Sequence, residues 1–273
     1  MSIKRSGIYL VTLGLIFSVS SSVAQNKKAY PKSEWYLSWG YNTEWYTRSN
    51  VHISQPELGN DYTFSRIKGH DKRGWDHDLF RKAISIPQYN YRLGYFFNPQ
   101  KGWGVEINFD HTKFVFEDGQ DASVTGTLHG KHADTTVRFS KDNGFYYYLN
   151  NGANFLLFNL VKRCELLSTK DGNLKLDLLG KAGIGPVIPH VENSFFGEAN
   201  KPHFQLGGWN VGVEASVKAT FFKYAFIEYS NKLDYARYSN LKIYKGTARH
   251  AFGTYEMIMS VGVNLPVGKH AAL

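Results

Sequence analysis

The chain carries one cysteine, Cys164, in 273 residues, so no intramolecular disulfide can staple it. It also lacks an apolar run of membrane-helix length, for which roughly 20 residues are needed. The apolar stretch 8–17 is ten residues long. Mean hydropathy is only −0.37, a value that taken alone reads as soluble. A membrane β-barrel is not excluded by it, because only alternate residues of a barrel strand face lipid. Acidic residues are the scarcer charges, 23 against 32 basic ones, for a formal net charge of +9. A basic balance suits nucleic acid or anionic lipid headgroups.

Residues 1–24 decide between those two partners. Lys4 and Arg5 precede the apolar stretch, and Ser22-Val23-Ala24 places small residues where a signal peptidase reads. This is the pattern of a secretory signal, with cleavage expected before Gln25. Export makes nucleic acid an improper partner, and loss of Lys4 and Arg5 removes two of the positive charges. The residue directly after the cleavage point is Gln25 and not a cysteine, so no lipoprotein anchor is expected.

Aromatic residues are abundant: 18 Tyr, 19 Phe and 6 Trp. Tyr and Trp favour water–lipid boundaries, because each has an apolar body and a hydrogen-bonding end. The clearest pattern lies in 206–235. Trp209, Val211, Val213, Ala215, Val217, Ala219 and Phe221 alternate with polar or small residues. The chain turns at Phe222-Lys223 and returns with Ile227, Tyr229, Asn231, Leu233 and Tyr235 against Glu228, Ser230, Lys232 and Asp234. A hairpin with one greasy and one charged face is the unit of a transmembrane barrel, with lipid outside and a polar lumen inside.

The same alternation recurs along the chain. It predicts strands at 35–46, 86–97, 103–116, 145–161, 174–187, 209–221, 227–235 and 252–265. In the fourth, Leu149, Ala153, Phe155 and Leu157 form one face. Long polar segments at 49–84, 117–144, 188–205 and 236–250 read as extracellular loops, and the remaining connections are short. The expected fold is therefore all-β: a transmembrane antiparallel up-and-down β-barrel in residues 25–273, with eight strands. Ten strands follow if 62–68 and 122–139 also span. A soluble sandwich or lipocalin-like barrel is the competing fold. Against it stand the balanced inward charges and the tryptophans at strand ends, Trp35, Trp45, Trp103 and Trp209, which suit interfacial girdles.

An eight-stranded barrel has room inside only for side chains. The inward positions predict a lumen charge network of Glu44, Arg92, Glu106, Asp110, Asp177, Lys181, Glu214, Lys218, Glu228, Lys232 and Glu256. Buried charges demand partners, so the expectation is a plug of ion pairs, not a channel. Outside, Arg66, Lys68, Arg73, Arg237, Lys242, Lys245 and Arg249 are candidates for contacts to lipid headgroup phosphates. Tyr146, Tyr147 and Tyr148 read as part of an interfacial belt.

The alternating strands, the leader and the loop rhythm, with Asn60-Asp61-Tyr62-Thr63-Phe64 and Ile67-Lys68-Gly69-His70-Asp71-Lys72-Arg73 in the first loop, carry a resemblance. The chain resembles small outer-membrane β-barrel proteins of Gram-negative bacteria, the class of OmpA-like, OmpX-like, OmpW-like and lipid-A-modifying barrels, and is similar to an uncharacterised group within it. Members of that class usually end on an aromatic residue; this chain departs from that and ends His270-Ala271-Ala272-Leu273. The resemblance implies the outer membrane as location, lipopolysaccharide and membrane lipid as partners, an unidentified surface or periplasmic protein as a further partner, and no cofactor. It implies a structural or surface-interaction role, with a narrow pore or a lipid-A deacylase as alternatives. A deacylase needs an outward Ser–His pair with a carboxylate, for which Asp110, His111, Ser230 and His250 are the candidates. No His-Ser dipeptide occurs, and Ser230 has the phase of a lumen residue, so no catalytic residue is assigned. His70, Asp71, Asp76, His77 and Asp78 carry metal-ligand chemistry, but charged loops gather such residues by chance, and no metal is assigned.

Overall fold

The computed structural model describes residues 30–74, 88–149, 151–195 and 197–268. In chain order the first strands are β1 (Ser33–Tyr46), β2 (Ser49–Gln55), β3 (Asn60–Ile67) and β4 (Gly69–His70). Next come β5 (Tyr89–Asn98), β6 (Trp103–Asp110), β7 (Phe114–Phe116), β8 (Asp121–Leu128) and β9 (Lys131–Arg138). They are followed by β10 (Tyr146–Leu149), β11 (Phe155–Ser168), β12 (Leu174–Pro186), β13 (Glu192–Phe195) and β14 (Glu198–Ala199). The chain closes with β15 (Gly208–Phe221), β16 (Ala225–Ile243) and β17 (Gly246–Val267).

Eight of these form a closed antiparallel ring in the order β1-β5-β6-β11-β12-β15-β16-β17, completed by pairing of β1 with β17 from Ser33↔Val267 to Tyr46↔Thr254. Closure removes the unpaired backbone that an open sheet would expose to lipid. The side chains follow the period of the strand. Outward lie Leu37, Leu93, Ile107, Phe158, Val213, Ile227 and Met259, all exposed. Inward lie Arg92, Glu106, Lys181, Lys218 and Glu256, all buried. An apolar exterior around a charged interior is the inverse of a soluble barrel, and this is a membrane-spanning one.

The short turns define the lower end. At the β15–β16 turn, Phe222 and Lys223 both have positive φ, 52° and 70°, the geometry that matches the twist of a two-stranded hairpin. Trp35 packs on Tyr95 at the lower end (4.6 Å between centroids), while Trp45–Tyr255 (5.6 Å) and Trp209–Tyr235 (5.8 Å) mark the upper end. Trp103 sits at the lower end beneath the Lys162 ammonium, 4.8 Å from the ring centroid. Inside, Gly94 makes room for one large ring: a Cβ there would meet Tyr36 at 1.9 Å.

Above the upper girdle the structure departs from the sequence reading. Segments 49–84 and 117–144 are not plain loops. They carry β2, β3 and β4, and β8 and β9, although residues 75–87 lie outside the described set. The pieces at 60–67 and 121–138 do not enter the ring, so its strand number remains eight. Instead β2 pairs with the top of β17 at Thr247↔Ser54, and the sheet continues through β3, β8 and β9. A second sheet, β14-β13-β10-β7-β4, folds beside it and takes in part of segment 188–205. Segment 236–250 is not a loop either: β16 runs to Ile243 and β17 begins at Gly246.

These pieces enclose a second core. Val51, Ile53, Tyr62, Phe64, Phe114, Phe116, Tyr147, Phe155, Tyr238 and Phe252 are among its buried members. Two expectations change accordingly. The run 145–161 is broken at Gly152 and Asn154, both with positive φ, and Phe155 and Leu157 point inward to this core while Phe158 and Leu160 face out. Tyr147 is wholly buried in the same core, so it is not a belt residue; Tyr146 and Tyr148 stack on each other at 5.0 Å. The signal segment 1–24, and the start of the expected strand at 86 and 87, lie outside the described residues.

Candidate functional site

Three layers of charge fill the lumen. In the lowest, Arg163 Nη1 donates to Glu34 Oε1 at 2.5 Å and its guanidinium lies 4.0 Å from the Phe96 centroid. Lys175 pairs with Asp177 at 3.0 Å. Lys218 donates to Asn264 Oδ1 at 2.7 Å and sits over the rings of Phe226 and Tyr36, at 3.7 and 4.7 Å. In the middle layer Lys181 reaches Glu106 (2.9 Å), Glu214 (3.1 Å) and Glu228 (2.8 Å). Arg92 lies 3.5 Å from Glu106, 3.2 Å from Glu214 and 3.6 Å from Asp110. The Tyr36 hydroxyl donates to Glu106 at 2.7 Å.

The upper layer is centred on Lys232, which contacts Asp110 (2.5 Å), Asp234 (2.8 Å) and Glu256 (3.5 Å). Glu44 and Glu256 face each other across β1 and β17. Asn42 Nδ2 donates to both, at 2.6 and 3.3 Å, and the Tyr46 hydroxyl donates to Glu44. Strand geometry explains why these residues meet. Inward positions on neighbouring strands face the same narrow space, so charges far apart in sequence become first neighbours.

Of the eleven residues expected in the lumen, Arg92, Glu106, Asp110, Lys181, Glu214, Glu228, Lys232 and Glu256 are joined by direct ion pairs. Glu44 joins them through Asn42. Asp177 and Lys218 sit in the lowest layer, each with the partner already named. The sequence reading omits Glu34, Tyr36 and Arg163, and it places Asp234 on the charged face of the hairpin without counting it in the network. Arg163 lies in what reads as a connection, yet it continues the inward phase of Asn159 and Val161 along β11, and that phase was the available signal.

The cap closes the upper mouth. Phe114 stacks on Phe252 at 4.3 Å and His250 stacks on Tyr238 at 4.8 Å. His250 Nδ1 lies 3.3 Å from Ser49 Oγ, and its Nε2 lies 2.9 Å from the Tyr147 hydroxyl. Burial among these rings pushes the His250 imidazole down to about 3, because the cation would have neither water nor a counter-ion there.

The catalytic candidates are not brought together. Ser230 Oγ donates to Ser216 Oγ at 2.9 Å, deep in the lumen. Its cross-strand neighbour is Ile258, eight residues or about 26 Å along β17 from His250. His111 Nδ1 is held by Asn154 Oδ1 at 2.8 Å, and Asp110 is committed to Lys232 and Arg92. Asp71 is engaged by the Thr43 hydroxyl (3.0 Å) and the Glu44 amide (2.9 Å), while His70 Nδ1 lies 2.7 Å from the Asp71 carbonyl. Asp76, His77 and Asp78 lie outside the described residues, among which no group of three His, Cys, Asp or Glu could hold a metal.

On the outer wall the basic residues separate into two sets. Arg237 and Arg249 are exposed and share one face directly above the Trp209–Tyr235 pair: Arg237 opposes Ala251, two residues along from Arg249. Arg249 in turn opposes His52. Lys242 continues the face upward, opposite Thr247. Exposed Arg48, just after β1, was not singled out from the sequence, and exposed Arg66 lies in the irregular part of the β2–β3 pair. The other set is tied to carboxylates higher in the cap: Lys68 to Glu117 (3.9 Å), Arg73 to Asp71 (3.8 Å) and Lys245 to Glu57 (3.9 Å).

No family model and no curated relative matches the sequence. Among solved structures, the outer membrane protein OprG from Pseudomonas aeruginosa is 10% identical, with 88% of this chain and 99% of that chain covered and a TM-score of 0.42. The N-terminal β-barrel domain of OprF from the same organism is 10% identical, covering 86% and 98%, with a TM-score of 0.36. Ail, the attachment invasion locus protein of Yersinia pestis, in complex with the heparin analogue sucrose octasulfate, is 16% identical, covering 86% and 99%, with a TM-score of 0.31. The barrel itself is defined by the closed strand ring, not by these likenesses.

Proposed function

We propose that this chain is an outer-membrane barrel with a sealed lumen, seated among lipopolysaccharide molecules, whose role is structural or interactive at the cell surface and not transport. The observation that carries this reading is the filled interior. Arg92, Lys181 and Lys232 and their carboxylate partners are all buried, and an aromatic core lies above them. An ion entering such a lumen would have to break several buried pairs at once, each expensive to separate. The folded cap presents the strands β2, β3, β8 and β9 to the medium, a surface suited to partners. Arg237 and Arg249, one step above the girdle, suit lipid phosphates, which Arg meets with a planar fork of donors. The refolded chain in a planar bilayer tests the reading, with heat-dependent gel mobility verifying the folded barrel. A folded barrel that stays silent supports it; steady, reproducible single-channel conductance refutes it.

A further inference from the structure

The lipid-facing wall is not uniform. Between β1 and β16 it holds a groove of about 370 Å³. Trp39 and Tyr41 of β1 form one side and Tyr229 of β16 the other, with Met257, Met259 and Val261 of β17 as the floor. The rings are braced: Trp39 meets Tyr41 edge-on at 4.9 Å. The floor is adaptable, because methionine side chains are unbranched and polarisable. Rigid sides and a soft floor make a channel that fits a flexible chain of methylenes better than a flat partner.

At the upper end of this groove stands a polar group that a lipid-facing wall does not need. Asn231 is the cross-strand partner of Met257 and projects to the same outer face. Its Oδ1 accepts from the Tyr255 hydroxyl at 2.5 Å and from the Tyr229 hydroxyl at 3.3 Å. With both hydroxyls on the oxygen, the Nδ2 hydrogens remain to be offered to an acceptor. An amide in hydrocarbon is costly unless its donors are met, and hydrocarbon tails have no acceptor. The depth of Asn231 supplies one. It lies one outward position below the Trp45–Tyr255 girdle, about 7 Å along the strand. At that level the ester and amide carbonyls that begin each acyl chain meet the hydrocarbon.

We propose that this groove is a binding site for one acyl chain of an outer-leaflet lipopolysaccharide, its linkage carbonyl hydrogen-bonded by Asn231 and its methylenes lying over Met257, Met259 and Val261 between Tyr41 and Tyr229. The basic face of Arg237 and Arg249 higher on the same wall favours the phosphorylated glycolipid over a zwitterionic phospholipid. The inference rests on the outer-membrane reading above, and its test is separable from it.

The experiment is native mass spectrometry of the refolded full chain in detergent, titrated with purified lipopolysaccharide or with phosphatidylethanolamine. The chain is compared with Asn231→Leu, with Met259→Trp, which fills the groove, and with Val213→Trp elsewhere on the lipid-facing wall. Gel mobility confirms that each variant is folded. The unsubstituted chain is expected to retain one lipopolysaccharide. Asn231→Leu and Met259→Trp should weaken retention about tenfold, the scale of one lost hydrogen bond or its packing equivalent, and Val213→Trp should not. Equal retention by all four chains, retention by none, or equally tight phosphatidylethanolamine overturns the site. Arg237→Ser with Arg249→Ser tests the headgroup contact separately, and conductance tests the sealed lumen without reference to the groove.

Discussion

Replacing Arg92 with methionine tests the lumen most directly. Arg92 lies within 4 Å of three carboxylates, Glu106 and Asp110 on β6 and Glu214 on β15 at the far wall, so its loss affects β6 and β15 together. Methionine keeps much of the volume and removes the charge. Breaking a buried ion pair by removing one partner costs about 3–5 kcal/mol. The lower figure applies here, because Glu106 and Glu214 keep Lys181, and Asp110 keeps Lys232. With a urea slope of about 2 kcal/mol per molar, a loss of about 3 kcal/mol moves the unfolding midpoint down by about 1.5 M. The assay is the fraction of heat-modifiable band against urea for the refolded chain in detergent or liposomes. Adding Glu214→Gln to Arg92→Met should recover much of the loss, since it removes the carboxylate that depended most on the guanidinium. A midpoint that moves by less than about 0.3 M for the single variant, or a double variant weaker still, would falsify the view that these charges hold one another.

Other consequences concern the cap and the wall. The pH dependence follows from His250, whose folded pKa of about 3 lies below its ordinary 6.5. The stability it gives as a neutral ring is complete above pH 6.5 and is lost as pH falls toward 3, about 2.7 kcal/mol by pH 4.5; limited proteolysis should open the cap in acid, and His250→Gln should flatten that response. Phe252→Ala removes a ring stacked on Phe114 and should cost the cap about 3–5 kcal/mol, seen as faster amide exchange in β2, β3 and β7 with barrel strands β12 and β15 unchanged. Ile107→Arg places a charge on the lipid side of β6 and should cost about 2–4 kcal/mol in liposome unfolding, whereas a soluble barrel would tolerate it at that exposed position.

The ring was legible because alternation reports which face of a strand sees which solvent. In β15 every second residue from Trp209 to Phe221 is apolar or aromatic and points outward, and nothing in that stretch interrupts the pattern. The lumen residues followed from the same phase. The pairing among them did not, because it depends on the stagger of strands around the ring, which period-2 patterns leave undetermined. Glu106 meets Lys181 and Glu214 meets Arg92 across the lumen, contacts that no sequence spacing announces. The groove was invisible for the same reason: Asn231 looks like one polar residue on an apolar face, and only the hydroxyls of Tyr229 on its own strand and Tyr255 on β17 show what holds it.

The cap was hidden by a change of rule within single strands. On β16, Leu233 and Tyr235 face outward and Asp234 inward; two residues later Arg237 faces outward and Ala236 and Tyr238 inward. β17 does the same in reverse, from His250 and Phe252 inward above to Glu256 inward below. The backbone period holds through this crossing, and the irregularity on β16 comes only higher, between Tyr238 and Leu241, but the apolar face crosses from outside to inside. Lipid surrounds the lower part of each strand, so its charges turn to the lumen. Water surrounds the upper part, so its rings turn inward and build an ordinary core. A pattern scan with fixed phase reads the crossing as the end of the strand, which is how 236–250 came to look like a loop. Read as a phase inversion, Tyr235–Ala236 instead marks the upper membrane boundary on β16. The Trp209–Tyr235 pair lies at that boundary, and Arg237 is the first outward residue beyond it.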